Sequence, residues 1–278
     1  MGLICPSYSK VNIGLKVLSQ RDDGYHNINT IFQELNFGDS IDIEKRDHGF
    51  KIIANVDWVP TNKSNICYKA YTEIKKEFSE VKGIHIKIDK KIPIGSGLGG
   101  GSANAAALLK GIKNIYKLEV TESKLEEIGG EVGADVPFFI RGKTQLGEGI
   151  GDKLTQLPKA IIGTYLLVIP KISIRTEWAY SVIKNRLNNQ NKNAKFSSFI
   201  NEDYSSLQIF ENDFERIVIP AYPKIGAIKQ KLLELGARFA SLSGSGSTVY
   251  GIFNEDASAK EAELFFRPSH QTILANPT

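Results

Sequence analysis

Apolar residues recur along the chain with two periods, and the changes of period mark out its elements. From Tyr8 to Val17, Val11, Ile13, Leu15 and Val17 alternate with Lys10, Asn12, Gly14 and Lys16, the period of two expected of a strand with one apolar face. Asp23–Gly24 is a turn signal. Ile41 and Ile43 alternate with Asp42 and Glu44, and Asp47–His48–Gly49 then leads into Phe50–Ala54, which predicts a hairpin. Ile84, Ile86 and Ile88 mark another alternating strand. Asn65–Phe78 reads as a helix. So does Ser102–Tyr116, where Ala103, Ala106, Ala107, Ile112 and Ile115 form the buried face. Thr121 is the N-cap of a third helix, with Gly129–Gly130 weakening its last turn.

Leu146–Leu157 is glycine-rich and proline-terminated, which predicts a connection at a domain boundary. The expected domains are therefore 1–157 and 158–278. Tyr165–Ile169 reads as a short buried strand and the asparagine-rich Leu187–Asn193 as a surface loop. Tyr222–Leu235 is helical and stops at Gly236. Ala237–Leu242 and Thr248–Phe253 are strands around Ser243–Ser247, followed by a helix at Asp256–Phe266 and a last strand at Gln271–Leu274. Strands and helices in two halves predict an α+β protein of two domains.

Composition narrows the function. A net charge of +4 over 278 residues leaves room for a local anion site but lacks the basic face of a nucleic-acid binder. Cys5 and Cys67 have neither disulfide nor zinc-ligand spacing. Met1–Pro6 lacks a basic region followed by an apolar run, so no secretory signal is expected, and no run approaches the roughly 18 apolar residues of a membrane span. The expectation is a cytoplasmic protein with a small-molecule substrate, no nucleic acid and no membrane, acting as a monomer or weak homodimer.

The chemistry concentrates in Pro93-Ile94-Gly95-Ser96-Gly97-Leu98-Gly99-Gly100-Gly101-Ser102, between a strand and a helix. Polyphosphate oxygens need N–H donors at close range. Glycine lets backbone amides approach without a Cβ in the way, and a helix N-terminus adds unpaired N–H groups and partial positive charge. Gly95, Gly97 and Gly100 satisfy G-x-G-x-x-G, but Asn114–Glu131 runs from one helix into the next and offers no strand ending in an acid, so a dinucleotide fold is excluded. A Walker loop needs Gly-Lys-Ser/Thr, and here Gly100 is followed by Gly101.

Pro-x-Gly-x-Gly-Leu-Gly, Pro93–Gly99, with Ser102 and a small-residue helix behind it, resembles the GHMP kinase superfamily of galactokinase, homoserine kinase and mevalonate kinase. The spelling Gly97–Ala106, together with Asp23-Gly24-Tyr25-His26, is similar to one branch. Its members phosphorylate the 2-hydroxyl of a diphosphocytidyl methylerythritol in the non-mevalonate route to isoprenoid precursors. The resemblance implies an N-terminal domain like ribosomal protein S5 domain 2 and a ferredoxin-like C-terminal domain. ATP would be the phosphoryl donor, with Mg²⁺ carried by the nucleotide. Pro93, Ile94, Gly95, Ser96, Gly97, Leu98, Gly99, Gly100, Gly101, Ser102 and Ala103 would hold it, with Asn65 near the adenosine. Mevalonate-kinase-like members carry Gly-Leu-Gly-Ser-Ser, so their metal-binding serine has no direct match here. Ser102 is the available hydroxyl, and the metal ligands stay open.

The same resemblance implies Lys10 and Asp135 as the catalytic pair and Asn12 as a ligand of the acceptor. Tyr25 would stack on the cytosine and His26 would contact it. Tyr180, with Thr176 as a hydrogen-bonding neighbour, would supply the opposite side. Each residue is also open to a plainer reading: Lys10 as a solvated cation, Asp135 as a turn or cap, Tyr25 and His26 as exposed rings of a hairpin, Asn65 as a helix cap. Ser241–Ser247 matches the family's second glycine motif and reads equally as a tight turn. Asn212-Asp213-Phe214-Glu215 is a weaker match, and Arg175 departs from the pattern. The rival readings are another GHMP kinase such as homoserine kinase, and a non-catalytic nucleotide sensor on the same scaffold.

Overall fold

β1 (Leu3–Gln20) and β2 (His26–Arg46) are long paired strands, joined by a turn in which the Arg21 and Gly24 amides and the Arg21 and Tyr25 carbonyls close the backbone. In the computed structural model, which describes residues 2–184, Phe196 and 207–278, they are followed by β3 (Gly49–Ala54), α1 (Ile66–Glu77), β4 (Gly83–Asp89), α2 (Gly100–Tyr116), α3 (Glu122–Val132), α4 (Val136–Arg141), β5 (Thr144–Glu148), β6 (Lys153–Gln156), β7 (Thr164–Ile169), α5 (Thr176–Lys184), α6 (Glu215–Ala221), α7 (Pro223–Glu234), β8 (Phe239–Leu242), β9 (Val249–Phe253), α8 (Asp256–Phe266) and β10 (Gln271–Ala275). The polar loop expected at Leu187–Asn193 lies outside the described residues.

Two compact units emerge, each drawn from several segments. Met1–Ser9, Gly38–Ile94 and Gly99–Gly142 form the first; Lys10–Phe37, Gly95–Leu98 and Lys143–Thr278 form the second.

In the first unit β4 is the middle strand. It pairs antiparallel with Ser40–Arg46 of β2 and parallel with β3. The hairpin expected between Ile41–Glu44 and Phe50–Ala54 is therefore corrected: β4 separates the two strands. Burial explains the order. Ile84, Ile86 and Ile88 are all fully buried and claim the centre, whereas β3 buries Ile52 and leaves Ile53 exposed. Gly83 makes the crossing possible, since a Cβ there would lie 2.4 Å from the His48 carbonyl carbon. α2 packs against α1 and α4. Its small residues bring it close to the strands: a Cβ on Gly111 would lie 2.1 Å from Ile43 Cδ1. Thr121 caps α3 as expected, accepting the Lys124 amide at 3.2 Å.

In the second unit, Thr30–Gln33 of β2 pairs with β5, and β5 with β6. The connection expected over Leu146–Leu157 is corrected to this β5–β6 hairpin, with Gly147 opposite Leu154. The glycines serve its turn, where Gly149 and Gly151 take φ of +66° and +99°. β7, β8, β9 and β10 form an antiparallel sheet in the order β10–β7–β9–β8. One face of it shares an apolar core with α5–α8 that includes Leu166, Val168, Phe214, Ile228, Leu232, Val249 and Phe266. Gly236 ends α7 at φ +94°, with the Ala237 amide returning to Leu232.

Candidate active site

In the second unit, the polar face of β1 is buried along with its apolar one. Lys10 is 5 % exposed and Asn12 1 %, so the reading of Lys10 as a solvated cation is corrected. The Lys10 ammonium donates to Asn12 Oδ1 at 2.6 Å and lies 5.2 Å from the Phe32 ring centroid. Asn12 Nδ2 donates to Thr30 Oγ1 at 2.9 Å, and the Thr30 hydroxyl donates to the Gly14 carbonyl at 2.7 Å. The Tyr250 hydroxyl donates to the Asn12 carbonyl at 2.8 Å. A buried cation survives where such partners replace water. Each bond also fixes the next side chain, so the ammonium is held in one place.

The front half of the glycine run lies in the same unit. The Lys10 amide donates to the Leu98 carbonyl at 3.0 Å and the Thr248 amide to the Ser96 carbonyl at 3.1 Å. Ser243 Oγ donates to the Gly97 carbonyl at 2.9 Å. Gly97 has φ +78°, and a Cβ on it would lie 2.3 Å from the Ser243 carbonyl oxygen. Gly95 has φ +65°, and a Cβ on it would meet no atom within 4 Å. Its backbone shape, not crowding, calls for glycine. Ser243–Ser247 is thus both the β8–β9 turn and a loop packed on the run.

The third component of this unit is the turn after β1. The Arg21 guanidinium holds the Asp23 carboxyl below its usual range, and Asp23 Oδ1 accepts the Tyr25 amide at 3.1 Å. Tyr25 is 60 % exposed and His26 7 %, so the two rings are not equivalent and the reading of both as exposed is corrected for His26. His26 stacks on Tyr180 of α5, with centroids 5.1 Å apart and planes at 27°. Tyr180 in turn meets the Phe214 ring edge-on at 4.9 Å. Thr176 Oγ1 lies 3.2 Å from Ser245 Oγ. The structure brings His26, Tyr180 and Thr176 together with the glycine loop, and pairs Tyr180 with His26. Arg175 is an exposed surface residue beside Glu177.

In the first unit, Gly99 begins α2 in the left-handed conformation, φ +75°, with no side-chain cap bond. The first-turn amides of this 17-residue helix therefore have no capping side chain, and the helix dipole adds positive potential there. A Cβ on Gly100 would lie 2.8 Å from Lys90 Nζ, whereas Gly101 has nothing nearer than Ile66 Cγ2 at 3.8 Å. The segment leading into the run is held by buried Asp39. Its carboxylate accepts the Lys91 and Ile92 amides at 2.7 and 2.8 Å, Asn104 Nδ2 at 2.8 Å, and the Lys90 ammonium. Asp135 precedes α4 and makes no side-chain cap bond to it, which removes the capping reading. Asn65 is the N-cap of α1: Oδ1 accepts the Cys67 amide at 2.9 Å and Nδ2 donates to the Pro60 carbonyl at 2.7 Å. Burial pushes the Cys67 thiol up to about 12. Among the described residues, no group of three or more His, Cys, Asp or Glu is arranged to hold a metal ion.

Sequence reasoning missed Thr30 and Tyr250. Thr30 and Tyr250 sit among apolar strand residues and act across 16 to 238 positions of chain, which no local pattern reveals.

One unit thus carries a glycine run packed on a serine loop and a buried lysine, and the other carries the uncapped start of a helix. The model of the GHMP kinases N terminal domain matches residues 65–143, and that of the GHMP kinases C terminal domain matches 190–269. The 4-diphosphocytidyl-2-C-methyl-D-erythritol kinase of Acetivibrio thermocellus is 40% identical over 258 residues, covering 91% of this chain and 90% of that one. The enzyme of the same name from Geotalea daltonii is 40% identical over 280 residues, covering 99% and 98%. A crystal structure of 4-(cytidine 5'-diphospho)-2C-methyl-D-erythritol kinase superposes with a TM-score of 0.83 at 24% identity, covering 99% of each chain. The chain belongs to the 4-diphosphocytidyl-2-C-methyl-D-erythritol kinase family of the GHMP kinases.

Proposed function

We propose that this kinase transfers the γ-phosphoryl group of ATP to the 2-hydroxyl of 4-diphosphocytidyl-2-C-methyl-D-erythritol, in the non-mevalonate route to isoprenoid precursors. The observation that carries the reading is the stacked His26–Tyr180 pair in the same unit as the buried Lys10–Asn12–Thr30 network. Together they supply a place for a nucleobase and a fixed cation for phosphoryl transfer. Exposed Tyr25 offers the cytosine a stacking face, and buried His26 offers its edge a hydrogen-bonding partner.

Phosphoryl transfer passes through a loose transition state, so positioning and charge neutralisation dominate. Lys10 neutralises charge on the transferring group. Asn12 orients the acceptor hydroxyl. Asp135 orients the same hydroxyl and takes its proton late in the transfer. The amides of Gly95–Leu98 and the start of α2, Gly99–Ser102, bind phosphate oxygens, with Pro93 and Ile94 shaping the entry and the Ala103 amide closing the first helical turn onto the Gly99 carbonyl at 2.9 Å. Asn65, fixed as a cap, shapes the loop on the adenosine side. Magnesium would be carried by the nucleotide, since it is commonly bound largely through substrate phosphates, and would offset phosphate charge; Ser102 is the available hydroxyl beside the glycine run. In this reading the enzyme acts in the cytoplasm as a monomer or weak homodimer. Among the described residues no helix is long and apolar enough to cross a membrane.

The test is an ADP-release assay with the cytidylated methylerythritol, homoserine and mevalonate as alternative acceptors. Turnover is expected with the first. Preferential turnover of either other acceptor overturns the proposal.

A further inference from the structure

Asn212, Asp213, Phe214 and Glu215 bear no role in the reaction above, yet all four reach parts of the second unit's site. Asn212 is buried, and its amide nitrogen donates to two carbonyls of the glycine loop and its approach, Leu242 at 2.8 Å and Gly244 at 2.9 Å. Its Oδ1 accepts the Phe214 amide at 3.0 Å. Glu215 Oε1 accepts the Ser241 hydroxyl at 3.0 Å and the Leu242 amide at 2.9 Å. Asp213 Oδ2 accepts the Val17 amide at 2.9 Å, and the Asp213 amide donates to the Leu15 carbonyl at 2.8 Å. That ties the segment to the strand carrying Lys10 and Asn12. The Phe214 ring meets Tyr180 edge-on, and Tyr180 stacks on His26.

The geometry at Gly244 gives these contacts a purpose. A Cβ on Gly244 would lie 3.5 Å from Asn12 Oδ1 and 3.9 Å from Lys10 Nζ, so the loop backbone runs directly over the pair. Gly244 also has φ +57°. A loop in that shape, so near a buried cation, needs its carbonyls anchored. The Asn212 amide supplies two N–H donors from one atom, which an aspartate or leucine of similar size does not.

We infer that Asn212–Glu215 is a positioning bracket for the reaction. Asn212 and Glu215 set the distance of the Gly244 backbone from Lys10 and Asn12, and Phe214 sets the tilt of Tyr180 against His26. The segment thus acts on phosphoryl transfer through its two ends and on nucleobase recognition through its middle. The recognition half rests on the proposed cytidylated substrate.

Three variants separate these roles from simple loss of fold. Asn212→Asp places oxygen against the two loop carbonyls. It is expected to lower kcat about tenfold or more, since small misplacements of reacting groups have effects of that order, while the KM for the cytidylated substrate changes by less than about twofold. Phe214→Leu is expected to raise that KM about fivefold with kcat and the KM for ATP near wild type. Hydrogen exchange of peptides spanning 241–249 is expected to quicken in Asn212→Asp and not in Phe214→Leu. If Asn212→Asp does not fold, Asn212→Ser, which keeps one donor, carries the same readouts with a smaller fall in kcat. Unchanged loop exchange and kcat in the soluble Asn212 variant overturn the inference, as do equal proportional losses of every parameter in both positions. A wild-type enzyme inactive on the cytidylated substrate would sink the proposed function instead, and loop exchange would still decide the bracket.

Discussion

The Ser243 hydroxyl donates to the Gly97 carbonyl at 2.9 Å, and the Ser243 carbonyl oxygen stands 2.3 Å from where a Gly97 Cβ would be. Each residue thus limits the other. Gly97→Ala must move the loop or the glycine run and must also hold alanine at φ +78°, a conformation costing about 1–2 kcal/mol. The expected outcome is a loss of kcat/KM for ATP of about a hundredfold or more. Ser243→Ala removes one hydrogen bond and should cost roughly 0.5–1.5 kcal/mol, about a tenfold loss at most. Steady-state kinetics with varied ATP check both, and equal losses would show that the close approach is not the constraint.

Lys10→Met and Asp135→Asn should each lower kcat by two orders of magnitude or more, about 3 kcal/mol of transition-state stabilisation. ATP binding should survive in both, because the amides proposed to take the phosphates belong to the backbone. Single-turnover rates and nucleotide affinity by calorimetry separate the two effects. Near-normal turnover in either variant removes that residue from the chemistry.

Asp39 links stability to ATP binding. It pairs with Lys90 in the interior, the two side chains being 0 % and 7 % exposed, and breaking such a pair from one side costs about 3–5 kcal/mol. Asp39→Ala should lose stability of that order in urea unfolding. It should also raise the KM for ATP, because the Lys91 and Ile92 amides that precede the glycine run lose their acceptor. A variant as stable as wild type contradicts the role given to the pair.

Tyr25 separates binding from folding. Its ring is largely exposed, so Tyr25→Ala should leave the thermal midpoint nearly unchanged, as surface substitutions do. The KM for the cytidylated substrate should rise well beyond that for ATP. Equal changes in the two constants would speak against a stacking role.

Cys67 gives a pH dependence with a defined sign. Its side chain is fully buried, and burial is the main cause of the rise to about 12, with Lys90 opposing it and Asp39 adding to it. Between the ordinary thiol value of 9.0 and 12 the unfolded chain loses this proton and the folded protein keeps it. Stability contributed by the protonated thiol is therefore full below pH 9 and falls as pH rises, by up to about 1.4 kcal/mol per unit. Urea unfolding at pH 8 and pH 10.5 should show a steeper loss in wild type than in Cys67→Ala. Identical slopes would place the thiol in water.

Much of the scaffold was legible because local patterns coincide with its structure. The alternation at Val11–Val17 marks a real strand, Thr121 and Gly236 mark real helix ends, and the glycine run starts a real helix. The misread elements turn on partners far along the chain. Nothing in Asp47–Gly49 announces that β4 will slide between its two flanking strands; that depends on a glycine at 83. α4 and α6 are short and contain Pro137 and Pro220, so they lack the periodic runs by which helices are recognised. Within the site, residue types were readable and environments were not. Tyr25 and His26 are adjacent in sequence, yet His26 is buried and stacked on Tyr180 while Tyr25 is exposed.

The tie between Asn12 and Tyr250 spans 238 residues, and that between Val17 and Asp213 spans 196. On a ribosome adding about 5–20 residues per second, the strand bearing Lys10 waits some ten seconds or more for its last partners. Every segment of the first unit lies before residue 143. The order of manufacture thus favours one unit over the other. Nascent chains stalled once Gly142 has emerged should already shield Cys67 from alkylation, while Lys10 stays open to amine reagents until the C-terminal strands are made.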